Sequence, residues 1–485
     1  MKKKSLAWNS FIYSFKSILG ILFPLITFPY VTNVLGPENI GRVEYANSIT
    51  NYFIFLAALG ITTYAIRTGA PVKKDRRALS KLATEMFVIN CVSAVVAYIG
   101  VFTVCRINFL SGYGILILIN SITILCNTIG MEWVYNVVED FTYITIRYIV
   151  VHILAIVFLF VFVKEPEDYI WYSLYILLAN GGSGIVNAVS LRKYVDLFSV
   201  KFRELELCRH VKPIFLLFSI SIVSTIFANL DTTMLGAMCG DREVGLYQAG
   251  MKIDRVVMGV LAAVSTVMFA RVSASGGKDQ SGALERLLKN FNGVMMLIAA
   301  PLSFGLSCIS LDLADFLFAD GFAKSGIVLM IISINILNSA VGRVYGHQVL
   351  LSRGEDTLYF WITAGSLLIN VVINLALIPT MGCIAAAIST VVSNTASACA
   401  CVFFASKYIS VAPMLRDTVK YSLIACVFFG IEYLLRCALG RNTIQMFVTI
   451  FVCAVSYAGA LLLTKDKYLT FVLGMVKGKI RRRNT

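Results

Sequence analysis

Apolar runs of about 20 residues recur along this chain from one end to the other, and they decide what it can become. A bilayer core of about 30 Å takes roughly 20 residues of helix. Backbone amides in hydrocarbon must be satisfied within their own segment, so each run reads as a transmembrane helix. Only 14% of the 485 residues are charged, against roughly 25% in an ordinary soluble domain. That is too few to coat two or three soluble domains. A soluble enzyme, a nucleic-acid-binding domain and a disordered tail are excluded, and the fold class is an all-α polytopic membrane protein.

Cutting at the polar and turn-rich breaks gives fourteen spans, with twelve as the fallback count. The first six are 10–33, 44–68, 84–104, 113–135, 144–163 and 169–191. The next six are 213–238, 245–272, 290–311, 325–350, 358–379 and 384–406, and two more follow at 418–437 and 443–463. The weakest boundaries are at Glu139-Asp140 and in the tight turn at Thr380–Cys383. Met1-Lys2-Lys3-Lys4 before an apolar run resembles a signal peptide, but the run is long, holds Pro24 and Pro29, and lacks a small-residue cleavage site. It reads as a retained first span.

The net charge of +15 matters through its placement. With the N-terminus cytoplasmic, 27 of the 42 Lys and Arg fall in inside segments and 6 in outside loops. Positive charge stays inside, so both termini are expected in the cytoplasm. Lys73-Lys74-Asp75-Arg76-Arg77 and Arg481-Arg482-Arg483 read as topology signals. The twelve cysteines are scattered through apolar runs, without CxxC or a nearby His pair, so neither a disulfide framework nor a metal site is expected.

Residues 192–212 carry six basic residues interleaved with Leu197, Phe198, Phe202, Leu205 and Leu207. The pattern predicts an amphipathic segment on the inner surface. It separates two sets of six spans, 1–191 and 213–406, leaving 407–485 as two additional spans and a basic tail. The halves echo each other. Leu35-Gly36 then Gly41-Arg42-Val43-Glu44-Tyr45-Ala46 is matched by Leu235-Gly236 then Gly245-Leu246-Tyr247-Gln248-Ala249. Six spans return the chain to its starting side, so the halves are parallel repeats, a transporter design.

Pro24, Thr27-Phe28-Pro29-Tyr30-Val31, Leu35-Gly36-Pro37-Glu38 and Gly41 together resemble the opening of bacterial polysaccharide-unit flippases. That family belongs to the superfamily shared with multidrug-and-toxin exporters and lipid II flippases. Asp231–Gly236 agrees, as do Val244–Tyr247 with Lys252-Ile253, and Asn370 and Asn374 before Pro379, Gly382 and Ala385–Ala387. The resemblance covers about residues 5–406. At Met268–Ser273 relatives often have Pro before the Arg, and this chain does not.

The resemblance implies two lobes around a central cavity and alternating access. The implied cargo is a polyprenyl-diphosphate-linked oligosaccharide, turned from the cytoplasmic to the outer leaflet of the bacterial cell membrane for surface polysaccharide synthesis. Membrane lipid is a partner, and a polysaccharide polymerase or other assembly proteins are candidate partners. No cofactor is implied. A diphosphate and sugars cannot cross hydrocarbon unaided, so such a cavity should be polar and cationic.

A charge at mid-bilayer costs about 2.5–3.5 kcal/mol on insertion scales, so each intramembrane charge asks for a reason. Arg147, Arg271, Lys420 and Arg436 lie near span ends and are expected to snorkel. Arg67 has that option too. It also follows Thr63 and Tyr64 on one face of span two, which lines the cavity in the resembling family. In span eight Gln248, Lys252, Arg255 and Gly259 form one polar stripe, where an Arg fork and a Lys point charge suit a diphosphate. Asp231 and Lys252 are expected at similar depth, and Asp231 could neutralise Lys252. Asp231, Lys252, Asp254 and Arg255 read either as a structural ion-pair network or as cavity lining, with a coupling role for Asp231 or Asp254 the third option.

Lys16 shares a face with Tyr13, Gly20 and Pro24, where snorkelling and a cavity cation both fit. Arg343 and His347 belong to a stripe in span ten with Asn335 and Asn338. Span eleven carries Thr363, Ser366, Asn370 and Asn374. Interhelical hydrogen bonding explains such stripes as well as a binding role. Pro24 and Pro29 are hinge candidates, as is Gly181-Gly182-Ser183-Gly184.

No catalytic constellation is present. Gly277-Lys278-Asp279 is a poor imitation of a phosphate-binding loop, and the expectation is a transporter rather than an enzyme. A polysaccharide polymerase would need a sizeable extramembrane loop, and the longest outside loop is 312–324. A multidrug-type cation antiporter would want buried carboxylates, whereas the excess charge here is basic. A lipid II flippase, whose cargo is also a diphosphate lipid, stands as the nearer alternative.

Overall fold

The computed structural model describes residues 6–197, 199–275 and 281–470, and every regular element in them is helical. Met1–Lys4, Gly277-Lys278-Asp279 and Arg481–Arg483 lie outside the described residues, as do the side chains of Tyr13 and of Met268–Ser273, Arg271 included. The elements in order begin with α1 (Leu6–Ala58), α2 (Ile61–Gly69), α3 (Arg76–Cys105), α4 (Gly114–Gly130), α5 (Glu132–Val137), α6 (Phe141–Phe162) and α7 (Tyr169–Ser190). They continue with α8 (Leu207–Cys239), α9 (Asp241–Ser275), α10 (Ser281–Leu317), α11 (Ala323–Ile332) and α12 (Asn335–Val341), which runs into a π-helical stretch, Gly342–Leu350. The last four are α13 (Asp356–Met381), α14 (Cys383–Ala405), α15 (Ala412–Leu439) and α16 (Thr443–Leu463).

Twelve helical segments among the described residues are long and apolar enough to cross a membrane. They take in thirteen of the fourteen expected spans. The first two expected spans share one of these segments, Phe23–Val72, because α1 turns the corner between them without a loop. The eighth, 245–272, falls in α9, part of which lies outside the described side chains. Outward stripes such as Val92, Val96 and Ile99 on α3, or Leu423, Val427 and Leu434 on α15, are more than half exposed. In a chain of this class those stripes meet lipid.

The corner in α1 is made by Gly36 at φ 69°, ψ 174°. The α8–α9 corner repeats it with Gly240 at φ 84°, ψ −179°. The α15–α16 corner repeats it again with Gly440 at φ 71°, ψ 175°. This backbone region is essentially closed to residues with a β-carbon, so each glycine fixes a reversal between spans. The geometry also corrects the register of the internal echo. Gly36 corresponds to Gly240, not to Gly236. Gly236 lies inside α8 and has a packing role, since a β-carbon there would come within 2.1 Å of the Tyr45 ring. Pro24 and Pro29 lie within helical backbone, and Gly36 is the point in α1 where helical geometry is lost.

The contacts form two compact units, 1–245 and 246–485. In the first, α1 packs on α3, α4, α6 and α8, and α4 packs on α7. Gly184 sits against the Cys126 backbone of α4, where a β-carbon would lie 2.1 Å from the carbonyl oxygen. In the second, α10 packs on α11, α12, α15 and α16, and α13 packs on α14.

Two breaks in the first unit place side chains for the site. Leu59 and Gly60, at φ 45° and 71°, separate α1 from α2, and Met131, at φ 40°, separates α4 from α5. Expected span four is therefore a helix with a broken end. Irregular backbone at membrane depth is tolerated where it is buried in protein or lines a cavity.

The segment after α7 consists of short turns. Leu191 and Val195 are buried in a core cluster with Tyr64, Trp133 and Tyr135. Arg76 donates to the Arg192 carbonyl at 3.1 Å, and the Asp196 amide donates to Ser80 Oγ at 3.0 Å. Segment 192–206 is thus tied to the start of α3.

Candidate functional site

The first unit encloses a cavity of about 310 Å³ between the end of α1, α2, α3, α4 and α5. Its polar lining comprises Thr62, Asn90, Asn127, Thr128, Glu132 and Asn136, and its apolar lining includes Ile61, Met86, Phe87 and Trp133. The Met131 break delivers Glu132 here. Glu132 accepts from Lys16 Nζ at 3.3 Å and pairs with Arg147 Nη2, also at 3.3 Å. Arg147 donates as well to the Asn187 carboxamide. Lys16 stands over the Tyr148 ring, 5.3 Å from its centre.

This arrangement corrects one expectation. Arg147 does not snorkel: it is 4% exposed, enclosed by α5 and α7. Position near a span end was a poor guide, because the break after α4 places a carboxylate beside it. Lys16, for which snorkelling and a cavity cation both fit the sequence, is paired with Glu132. Lys420 and Arg436 sit near helix ends and pair with Asp466 at 2.5 Å and Glu432 at 3.3 Å. Arg67 is exposed on α2, one turn after Thr63.

A second cluster lies where α8 begins. Glu85 of α3 and His210 of α8 are both buried. Glu85 Oε2 lies 2.9 Å from His210 Nε2, and Tyr64 Oη lies 2.8 Å from His210 Nδ1. The other Glu85 oxygen accepts the Glu206 amide at 2.8 Å. Glu206 itself, in the loop before α8, is held below the usual carboxylate range by its hydrogen bond from Lys81. Asp231 is buried further along α8.

At the α8–α9 corner, outside the spans, Asp241 accepts from Tyr113 Oη at 2.7 Å and lies 3.5 Å from Arg42 Nε. Burial raises its carboxyl above the ordinary value, against the opposing pull of Tyr113 and Arg42.

In the second unit the α9 stripe is partly realised. Arg255 Nη2 reaches Gln248 Oε1 at 3.4 Å, so these two residues, seven apart, share a face. Gln248 is buried, Lys252 half-buried and Arg255 exposed. Asp254 is 4% exposed, and its Oδ1 has no hydrogen-bond partner among the described residues. Arg343 lies in the π-helical stretch with its Nε buried and unpartnered in the same sense. Single π turns inside α-helices are frequent at functional sites. His347 meets Tyr359 Oη at 3.3 Å.

The stripes of spans ten and eleven are interhelical hydrogen-bond networks. Asn338 donates to Thr395 of α14 at 2.9 Å, and Asn394 donates to Asn335 at 3.4 Å. Asn370 donates to Ser389 Oγ at 3.2 Å, Asn374 donates to Asn370 at 3.1 Å, and Ser366 donates to the Ser393 carbonyl at 2.7 Å. All five of Ser366, Asn370, Asn374, Ser389 and Ser393 are buried.

The model of a family described as "Polysaccharide biosynthesis protein" matches residues 6–274, more than half of the chain. The chain belongs to that family. Among curated relatives, "Putative O-antigen transporter" of Escherichia coli (strain K12) is 22% identical over 68% of this chain and 80% of its own length. "Probable low-salt glycan biosynthesis flippase Agl15" of Haloferax volcanii is 24% identical over 39% of this chain, which spans only 41% of that relative's length. Among solved structures, "Lipid II flippase MurJ, inward closed conformation" superposes with a TM-score of 0.75 at 16% identity, over 95% of this chain and 99% of that one. An inward-facing multidrug resistance MATE family transporter superposes with a TM-score of 0.55 at 12% identity, over 83% and 98%. At such identities the likeness gives the fold alone, an all-helical one shared with these two structures.

The residue that sequence reasoning missed in this family member is Glu132. It sits in the run Gly130-Met131-Glu132-Trp133, inside a span that hydropathy reads as continuous. The available signal was a carboxylate within a span, and it was passed over in favour of the more numerous cations.

Proposed function

We propose that this chain is a flippase that carries polyprenyl-diphosphate-linked oligosaccharide from the cytoplasmic to the outer leaflet of a bacterial cell membrane, for surface polysaccharide synthesis. The observation that carries the reading is the family match over residues 6–274. Relatives named as an O-antigen transporter and a glycan flippase support it. The transporter is no enzyme in this reading: it makes and breaks no bond, and its work is to bind a charged head group on one side and release it on the other. Both termini face the cytoplasm, as the placement of Lys and Arg supports. The functional lobes are 1–191 and 213–406, with 192–212 between them, and the matched corners at Gly36 and Gly240 support that repeat. A polymerase or other assembly proteins would take the flipped product.

Substrate contact falls to the cations. Lys252 and Arg255 hold the diphosphate with Gln248 orienting the Arg fork; Arg343, and Lys16 and Arg67 of the first unit, are further substrate contacts in this reading. Asp254, buried with an unpartnered oxygen, is the group that takes up or releases a proton or cation during the cycle, and Asp231 balances charge. Pro24 and Pro29 allow α1 to bend.

A lipid II flippase is the second reading, favoured by the fold likeness at a TM-score of 0.75. Both readings share a diphosphate lipid, and the sugar distinguishes them. The test is protected movement of fluorescent lipids in proteoliposomes, offering a polyprenyl-diphosphate oligosaccharide, lipid II and a sugar-free cationic dye. Movement of the oligosaccharide lipid, abolished in Arg255→Ala at unchanged membrane abundance, is the expected result. Movement of lipid II alone selects the second reading, and movement of the dye alone overturns both.

A further inference from the structure

The cavity of the first unit has a lining whose chemistry selects its occupant. Asn127 and Thr62 are exposed to it, and neither side chain has a hydrogen-bond partner among the described residues. Asn127 sits on the apolar helix α4, where an unpaired carboxamide is costly unless water or a ligand satisfies it. Asn90 and Asn136 add further carboxamides, the first donating to Thr128 at 2.9 Å and the second to the Glu132 carbonyl at 3.2 Å. Met131, held at φ 40°, ψ 50°, presents this rim at a strained position. Backbone strain of that kind clusters at ligand sites.

Three occupant classes can be weighed. An apolar tail would leave Asn127 and Thr62 without partners. A cation would meet Glu132 already paired with both Lys16 and Arg147, a group whose sum is one positive charge. A polyol satisfies the lining: its hydroxyls exchange hydrogen bonds with carboxamides and with the Glu132 carboxylate, 44% exposed. Its C–H faces lie on Ile54, Ala58 and Phe87, the accessible apolar part of the lining. The volume of about 310 Å³ is at the small end of ligand pockets, roughly 300–1,000 Å³, which suits a sugar or two rather than a long glycan.

We propose that this cavity of the first unit is a saccharide subsite, which takes one or two sugars of the glycan. The identity of the occupant as the head group of a lipid-linked glycan rests on the flippase reading; the affinity for saccharide does not.

The experiment places p-benzoylphenylalanine at Asn127 of the full chain in glycan-producing cells and identifies the irradiated adduct by mass spectrometry. An adduct bearing both sugar and polyprenyl diphosphate supports the subsite and the flippase reading together. An adduct bearing sugar without lipid supports the subsite and counts against that reading. A phospholipid adduct, or no carbohydrate adduct, overturns the proposal. A second measurement uses oligosaccharide released by mild acid from the same cells' polyprenyl-diphosphate lipids, titrated onto the purified protein. Asn127→Ala should weaken its binding about tenfold at an unchanged thermal midpoint, the size of one lost hydrogen bond to a ligand. Equal binding by both proteins, or none by either, overturns the subsite.

Discussion

Gly41 and Gly245 make reciprocal contacts within the first unit. A β-carbon on Gly41 would lie 1.7 Å from the Asp241 carbonyl oxygen, and one on Gly245 would lie 1.8 Å from the Pro37 carbonyl oxygen. Each glycine stands five residues after a corner glycine, and each rests on the residue next to the other's corner. The two helix starts therefore meet backbone to backbone, closer than any side chain allows.

Gly41→Ala and Gly245→Ala should each prevent normal assembly of this corner, because backbone rather than a movable side chain blocks the added methyl. Gly36→Ala and Gly240→Ala meet nothing within 4 Å. They incur conformational strain alone, about 1–3 kcal/mol. Membrane abundance and detergent thermal midpoints of the four variants should fall in that order, with the contact pair lower. Corner variants worse than contact variants would contradict the geometry.

Asp241 at the same corner gives a pH dependence of unusual sign for a carboxylate. Its folded value is raised by burial. The folded chain therefore binds this proton more readily than the unfolded chain, and the group's contribution worsens as pH rises from 3.8 through the folded value. Asp241→Asn keeps an acceptor for Tyr113 without the buried charge. The variant should be more stable relative to wild type at pH 7 than near pH 4, with the difference shrinking as pH falls. Unfolding at both pH values checks this, and a gap that widens on acidification would refute it.

Arg147 and Glu132 should be coupled. Glu132→Ala leaves the enclosed guanidinium without its carboxylate, and stranding a buried charge costs about 3–5 kcal/mol, toward the low end here because Glu132 is half exposed. Adding Arg147→Met removes the stranded charge and should recover part of the loss. A double variant no more stable than Glu132→Ala alone would show that the pair does not act as one unit.

Glu85→Ala should release the start of α8. It strips partners from His210 and from the Glu206 amide together, at about 1–3 kcal/mol. Amide exchange at residues 204–210 should quicken while exchange within α4 and α7 does not change. Lys81→Ala, which removes a 3.0 Å ion pair to Glu206 and a longer one of 3.9 Å to Glu85, should cost about 1 kcal/mol, less than Glu85→Ala.

The elements legible in the sequence were those governed by composition. Twelve helical segments, which take in thirteen of the expected spans, fall where the apolar runs do, and the tight turn at Thr380–Cys383 appears as Gly382 between α13 and α14. The stripe from Gln248 to Arg255 was legible because helical periodicity alone sets it. The break at Met131 was not, since a left-handed Met inside an apolar run leaves no compositional mark. Everything depending on it was hidden in turn: the delivery of Glu132, the capture of Arg147 and the cavity above them. The internal echo was seen one turn out of register because Leu-Gly pairs were matched by identity. The corners are matched by dihedral angle, which Gly36 shares with Gly240 and not with Gly236.

The close contact of Gly41 with Gly245 binds the fate of two segments that most of the first unit separates in sequence. A change in the path of one hairpin is tolerable only if the other changes with it. Exchanging either corner alone with that of a relative would bring together surfaces shaped for different mates. The two hairpins are structurally one part, and an engineer who transplants them must move both.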